Sequence, residues 1–276
     1  MNEETLPTTL LGAVDYFKNE DIAHDFVVGL RWPDGVKCSA CSSSELYYIS
    51  TRKVWMCKDK TCSEHGKRFS VKKGTIFEDS PIKLGKWLPA IWMIANNKNG
   101  KSSYELSRDL GVTQKTAWFM LHRIRLAMQT GTFEKLSGTV EADETFIGGL
   151  AKNMHKDKRE EKIKGRGAAG KAVVMGLLER KGDVRAGVIP NTTKETLHGE
   201  VHKHVESGSQ VYTDSFPAYK GLHSDYVHEM VDHAVTYANE QAHTNGIENF
   251  WSLLKRSVKG TYVSVEPERL TRYVDE

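Results

Sequence analysis

The stretch Glu141-Ala142-Asp143-Glu144-Thr145-Phe146-Ile147-Gly148-Gly149 decides the fold class of this chain. Its alternation reads as a strand, which puts Glu141 and Asp143 on one face and Glu144 on the other. An acidic side chain in a central strand needs a reason, because a buried charge is costly unless it is paired or coordinates a metal. Outward from this stretch, β-rich runs at 139–147, 171–179, 183–189 and 210–213 precede a strand at 226–231. Helical segments at 193–206 and 245–258 interrupt and follow them. Strands and helices in this order predict an α/β sheet domain over 137–276.

Two further acidic positions fall in the same region. Val211-Tyr212-Thr213-Asp214-Ser215 is an apolar strand that ends on an aspartate, a position that projects into an open cleft. His243-Thr244-Asn245-Gly246-Ile247-Glu248 opens a helical run, and Lys255 lies seven residues beyond Glu248, about two turns on the same side. Each has an ordinary structural reading as well. Asp143 suits a strand end, Asp214 an Asx turn, and Asn245 with Glu248 resembles a capping box.

The N-terminal half reads as three segments. Residues 1–35 hold one amphipathic helical stretch, 10–30, closed by Arg31-Trp32-Pro33-Asp34-Gly35. Over 36–78, Leu46–Ile49, Val54–Cys57 and Arg68–Val71 read as short strands of a small β module. Over 79–136, a helix from Pro81 to about 96 precedes a helix, glycine turn and helix across Ser102–Met128, a helix-turn-helix pattern. All four cysteines lie in the β module, as Cys38-x2-Cys41 and Cys57-x4-Cys62 separated by fifteen residues. Two close pairs suit four tetrahedral thiolate ligands of a structural Zn²⁺. His65, three residues past Cys62, is an alternative ligand. Buried free thiols would explain the composition but not the spacing.

With 276 residues, 39% hydrophobic and 27% charged, the chain has the balance of a folded protein, and it contains no apolar run long enough for a membrane span. The N-terminus lacks the basic flank of a secretory signal, so a cytoplasmic location is expected. The formal net charge is only +3, but residues 51–73 carry a local net of +6 and 151–171 a net of +5. Such runs track phosphate or form a solvated face. On the helix at 113–128, Gln114, Lys115, His122, Arg123 and Arg125 are candidates to face a DNA groove, with Trp118, Leu121 and Ile124 as core.

Asp143, Asp214, Glu248 and Lys255, in that order and spacing, resemble the DDE signature of insertion-sequence transposases and retroviral integrases. Arg31-Trp32-Pro33-Asp34-Gly35-Val36-Lys37-Cys38, Gly74-Thr75-Ile76-Phe77 and Thr116-Ala117-Trp118 are similar to ISXO-type bacterial transposases with a zinc ribbon. The C-x4-C spacing departs from that pattern, as does the end at Tyr273-Val274-Asp275-Glu276, where such proteins usually run on. The resemblance implies an RNase H-like catalytic domain behind a zinc ribbon and a helix-turn-helix. It implies that Asp143, Asp214 and Glu248 hold catalytic Mg²⁺ or Mn²⁺, and that Lys255 and Asn245 contact DNA. It further implies cleavage at the element's terminal inverted repeats, strand transfer into target DNA, a homo-oligomer that brings two ends together, and residence at a bacterial nucleoid. The competing expectation is a ribbon and helix-turn-helix transcription regulator, or an inactive transposase descendant, in which the three carboxylates have no role.

Overall fold

A computed structural model of the chain describes residues 6–128, 135–149, 155–162, 170–231 and 243–276. The chain divides into two compact units, one built up to Asn97 with Lys101–Ala127, the other from Lys98–Gly100 with Met128–Glu276.

The first unit opens with two helices, α1 (Leu10–Phe17) and α2 (Glu20–Arg31), where the sequence pattern reads as one. The break has a local cause. Thr9 caps α1 through Gly12 N, while Asn19 accepts from Asp21 N and starts α2, with Glu20 and Asp21 against the positive end of its dipole. Strands β1 (Leu46–Ile49), β2 (Val54–Cys57) and β3 (Arg68–Ser70) then form an antiparallel sheet in that order. So small a sheet buries little by itself. Trp55 supplies its apolar face, stacked between His24 of α2 and Phe69 of β3, and the Arg31 guanidinium donates to Val71 O at 2.7 Å. Helix α3 (Leu84–Ala95) buries Trp87, whose indole donates to Ser80 Oγ. Helices α4 (Ser103–Leu110) and α5 (Gln114–Met128) flank Gly111 as the expected helix-turn-helix. A reciprocal capping box between Ser102 and Glu105 fixes the start of α4.

The second unit is a five-stranded sheet in the order β6-β5-β4-β7-β8, made of β4 (Thr139–Ile147), β5 (Ala172–Glu179), β6 (Val184–Ile189), β7 (Gln210–Asp214) and β8 (Val227–Val231). The first three strands form an antiparallel meander; β7 and β8 then join parallel to β4. The short helix α6 (Lys156–Lys162) lies between β4 and β5 in sequence, and α7 (Lys194–His204) makes the crossover into β7. Helices α8 (Asn245–Arg256) and α9 (Pro267–Val274) complete the unit. Helix α8 runs on into a π-helical stretch, Ser257–Tyr262, where a continuous helix to 258 is expected.

The sheet's two faces bury separate cores, as strand alternation requires. Val140, Ala142, Met175, Leu177 and Val211 pack with Leu197 and Val201 of α7 and with Tyr219 and Leu222. On the other face Ile147 and Val174 pack with Ile247, Trp251 and Leu254 of α8 and Leu270 of α9. Glu141 and Asp143 therefore lie under α8, and Glu144 lies on the α7 side.

Candidate active site

Strand register brings the first two carboxylates together. Ala142 of β4 pairs with Thr213 of β7 in a parallel ladder, so Asp143 and Asp214 are neighbours one residue further along. Asp143's partner on the other side is Gly176 of β5. Helix α8 crosses this face and brings Glu248, Ser252 and Lys255 to the rim of a cleft of about 360 Å³ that Asp143, Glu144, Thr145 and Trp251 also line.

Two devices hold α8 there. Glu141 is 1% exposed, and its Oε2 accepts the amide of Ile247 at 3.0 Å, so a carboxylate of β4 caps the helix start from across the interior. The Arg180 guanidinium neutralises it at 2.8 Å and also donates to His243 O. Gly246 is what lets the carboxylate approach, since a Cβ there would sit 2.8 Å from Glu141 Oε2. The N-cap is Thr244, not Asn245. The expected Asn245–Glu248 capping box is thus replaced by the tertiary cap from Glu141, with Thr244 Oγ1 donating to Glu248 Oε1 at 3.2 Å. The second device is Trp251, whose Nε1 donates to Asp143 Oδ2 at 2.9 Å.

The electrostatics of the site are set by burial and by acids close to one another. Burial raises the Asp143 carboxyl above the usual range and the charges of Asp214 and Glu248 raise it further, against the bonds from Trp251 and the Glu144 amide. Burial also lifts Glu144 to about 7, with Asp214 and Asp143 adding to the rise while the Tyr219 hydroxyl, donating at 2.7 Å, opposes it. Asp214 Oδ1 accepts the amide of Phe216 at 3.0 Å, which fixes the turn leaving β7. Hard carboxylate oxygens gathered in this way suit Mg²⁺ or Mn²⁺, which would relieve their repulsion.

The cysteines form a different kind of centre. Cys38 and Cys41 lie on the turn before β1, Cys57 ends β2, and Cys62 follows it. Their four sulfurs lie within 4.8 Å of one another, with Cys38–Cys62 at 3.8 Å and Cys41–Cys57 at 3.7 Å. A tetrahedron with Zn–S bonds of ~2.3 Å has edges of about 3.8 Å. The Glu64 amide donates to Cys62 Sγ at 3.3 Å. Burial pushes the Cys57 thiol up to about 12, whereas at Cys38 burial is outweighed by amides of Ala40 and Cys41, which bring it down to about 7. Four neighbouring thiols cannot all ionise without a cation, and the set fits structural Zn²⁺. The His65 ring is held instead by Asp59 O at 2.9 Å and stays outside the converging group.

The positions expected to meet DNA divide. Lys115 and Asn245 are exposed, and Lys255 lines the cleft. Gln114 is bonded to Ser103 Oγ. Arg125 is 1% exposed and His122 is buried as well, so neither is on a groove-facing surface; this corrects the reading of the α5 face. Arg123 donates to Ile76 O and Glu78 O and lies over the Phe119 ring, holding the 76–78 turn to α5. Leu121 and Ile124 are core as expected, but Trp118 is 38% exposed. The basic stretch 151–171 falls largely outside the described residues.

Sequence reasoning missed Trp251, Tyr219 and the role of Glu141. Trp251 had a signal, one helical turn beyond Glu248. Glu141 shares the face of Asp143 but looked like a second acid, and its ion pair with the partly buried Arg180 and its bond from the Ile247 amide show it to be structural.

Residues 135–276 match the ISXO2-like transposase domain and residues 18–65 the transposase zinc-ribbon domain. The chain is 29% identical over 272 residues to a protein in transposable element ISH50 of Halobacterium salinarum, covering 94% of this chain and 89% of that protein. It is 32% identical over 90 residues to a transposase-like protein of Haemophilus influenzae, 32% of this chain and 72% of that one. The mixed sheet is accordingly RNase H-like, and the chain is a nucleic-acid-processing enzyme. It belongs to the ISXO2-like family of insertion-sequence transposases.

Proposed function

We propose that this transposase cuts DNA at its element's ends and joins them to target DNA with Asp143, Asp214 and Glu248 as its catalytic carboxylates. The observation that carries the reading is the register that sets Asp143 beside Asp214 under the helix bearing Glu248. In this reading Asp143, Asp214 and Glu248 would together hold the catalytic Mg²⁺ or Mn²⁺. Bound Mg²⁺ or Mn²⁺ stabilises the attacking and leaving oxygens of an in-line phosphodiester displacement.

The chain's own groups do the rest. Glu141 and Trp251 keep α8, and with it Glu248, at a set distance from β4. Lys255, at the rim of the same cleft, holds a DNA phosphate as a point charge and keeps the scissile strand against the acids. Lys115 on α5, the ribbon's basic run 51–73 and the 151–171 segment supply affinity along the backbone. A water attacks first; the 3′-hydroxyl so released attacks target DNA in the same cleft. Joining two ends requires two sites, so the working form is a homo-oligomer.

The test is a Mg²⁺-dependent strand-transfer assay on linear DNA carrying the native ends, with Asp214→Asn alongside. Joined products that vanish in the variant while DNA binding persists support the reading. Binding without cleavage by the wild-type chain, on verified ends, supports a regulator or inactive descendant instead.

A further inference from the structure

Gly176 is an odd residue for its place. It sits mid-strand in β5 between buried Met175 and Leu177, directly opposite Asp143. A glycine inside a strand marks a close approach. Here a Cβ would lie 2.7 Å from Trp251 Cη2 and 2.8 Å from Cζ2. The missing side chain is therefore the slot in which the indole lies against the sheet, next to Asp143.

That seat aims the ring's single polar group. Trp251 is buried, and its N–H donates to Asp143 Oδ2 at 2.9 Å, while Oδ1 takes the Glu144 amide at 2.8 Å. One donor on each oxygen fixes the plane of the carboxylate and leaves a lone pair on both. Because Trp251 is one helical turn from Glu248, the same contact ties the two acids to each other.

We infer that Trp251 is a positioning residue for the transposition reaction: seated in the Gly176 slot, its indole N–H orients Asp143 toward Glu248 and sets how tightly the carboxylates take a divalent cation. The inference rests on the reading of Asp143 as a cation-holding carboxylate. Outer partners of metal ligands act in this way, and losing one costs on the order of 10–100-fold in metal affinity or activity.

The experiment uses the full chain as Trp251→Phe and, to keep the ring's whole shape, with benzothienylalanine at position 251, in which sulfur replaces the N–H. Mn²⁺ binding is measured by calorimetry, DNA cleavage against Mg²⁺ concentration, and melting temperature of the zinc-loaded chain without added Mg²⁺ or Mn²⁺. Expected are roughly 10–100-fold weaker Mn²⁺ binding and a matching rise in the Mg²⁺ needed for half-maximal cleavage, with cleavage restored at high Mg²⁺. The benzothienyl chain, with packing intact, should show this at an unchanged melting temperature. Wild-type Mn²⁺ affinity in the benzothienyl chain overturns the inference, as does a fall in melting temperature with affinity unmoved. Asp143→Asn separates the two claims. If it still binds Mn²⁺ and cleaves, the carboxylate reading itself fails; if it loses both while the Trp251 substitutions lose neither, only the role of Trp251 falls.

Discussion

Four cysteines in the ribbon and three carboxylates in the sheet unit are each gathered from separate stretches of chain, yet they close to different degrees. Among the described residues only the cysteines bring all their ligand atoms within 4.8 Å of one another. They use every ligand on one ion and leave no open position. Of the carboxylates, Asp143 and Glu248 line an open cleft of about 360 Å³, and Asp214 stands next to Asp143 through the strand register. The first arrangement holds a small fold together. In the second, burial and the nearby acids raise the Asp143 carboxyl, and Glu141 and Trp251 tie α8 to β4.

Substitutions in the two clusters should differ in kind. The largest effect is expected from Glu248→Gln, which should reduce cleavage by more than the ~10–100-fold typical of losing an outer partner. With zinc kept in the ribbon and no Mg²⁺ or Mn²⁺ added, its melting temperature should be no lower than wild type, because a charge that raises the Asp143 carboxyl is gone. A clear loss of stability would break the comparison. Cys57→Ala, or a strong chelator, should act the opposite way. Structural zinc in small domains contributes on the order of 10–16 kcal/mol, so circular dichroism and proteolysis should show the ribbon unfolding. A ribbon that keeps its protection without zinc would remove the distinction.

A smaller effect tests the support of the open site. Glu141→Ala leaves Arg180 partly buried without its carboxylate and uncaps α8, which should cost about 3–5 kcal/mol by denaturant titration. Gly246→Ala should weaken the same contact by crowding it. A surface-like cost, under ~0.5 kcal/mol, would mean that α8 is held by packing alone. The smallest effect is on pH. Burial, with Lys194 near His198 and His198 near His228, depresses both imidazoles below their usual 6.5. Their neutral forms belong to the folded state, so stability is full above about 6.5 and declines as pH falls below it. His228→Gln should flatten that decline in thermal melts; an unchanged slope would show that His228 does not contribute.

Legibility in the sequence followed the range of the interaction. Strand limits such as Thr139–Ile147 and Val54–Cys57 were readable because alternation and turn residues are local. The cysteine centre was readable because its ligands are close in sequence. His122 and Arg125 differ from the expected groove-facing positions because a polar residue on a helix looks solvated until the elements packed against it are known. The α8 cap was misplaced for a similar reason. Asn245 is a good capping residue by type, but the cap comes from Glu141, 106 residues from the Ile247 amide that it accepts. Tyr219 and Glu144, 75 residues apart, left no pattern that one strand or turn could display.

The pairing of β4 with β7 has one more consequence. Side chains repeat every two residues along a strand, so a slip of one position would turn Asp143 to the α7 side and expose the places of Val140 and Ala142 to the wrong face. The apolar residues that forbid this slip, Val140, Ala142 and Val211, are fully buried. They act as proofreaders of alignment: the same burial that makes the sheet stable guarantees that every folded copy presents the same two aspartates side by side. Core substitutions on that face should therefore produce mixed populations, in which the fraction of active molecules falls while the rate of each active molecule is unchanged.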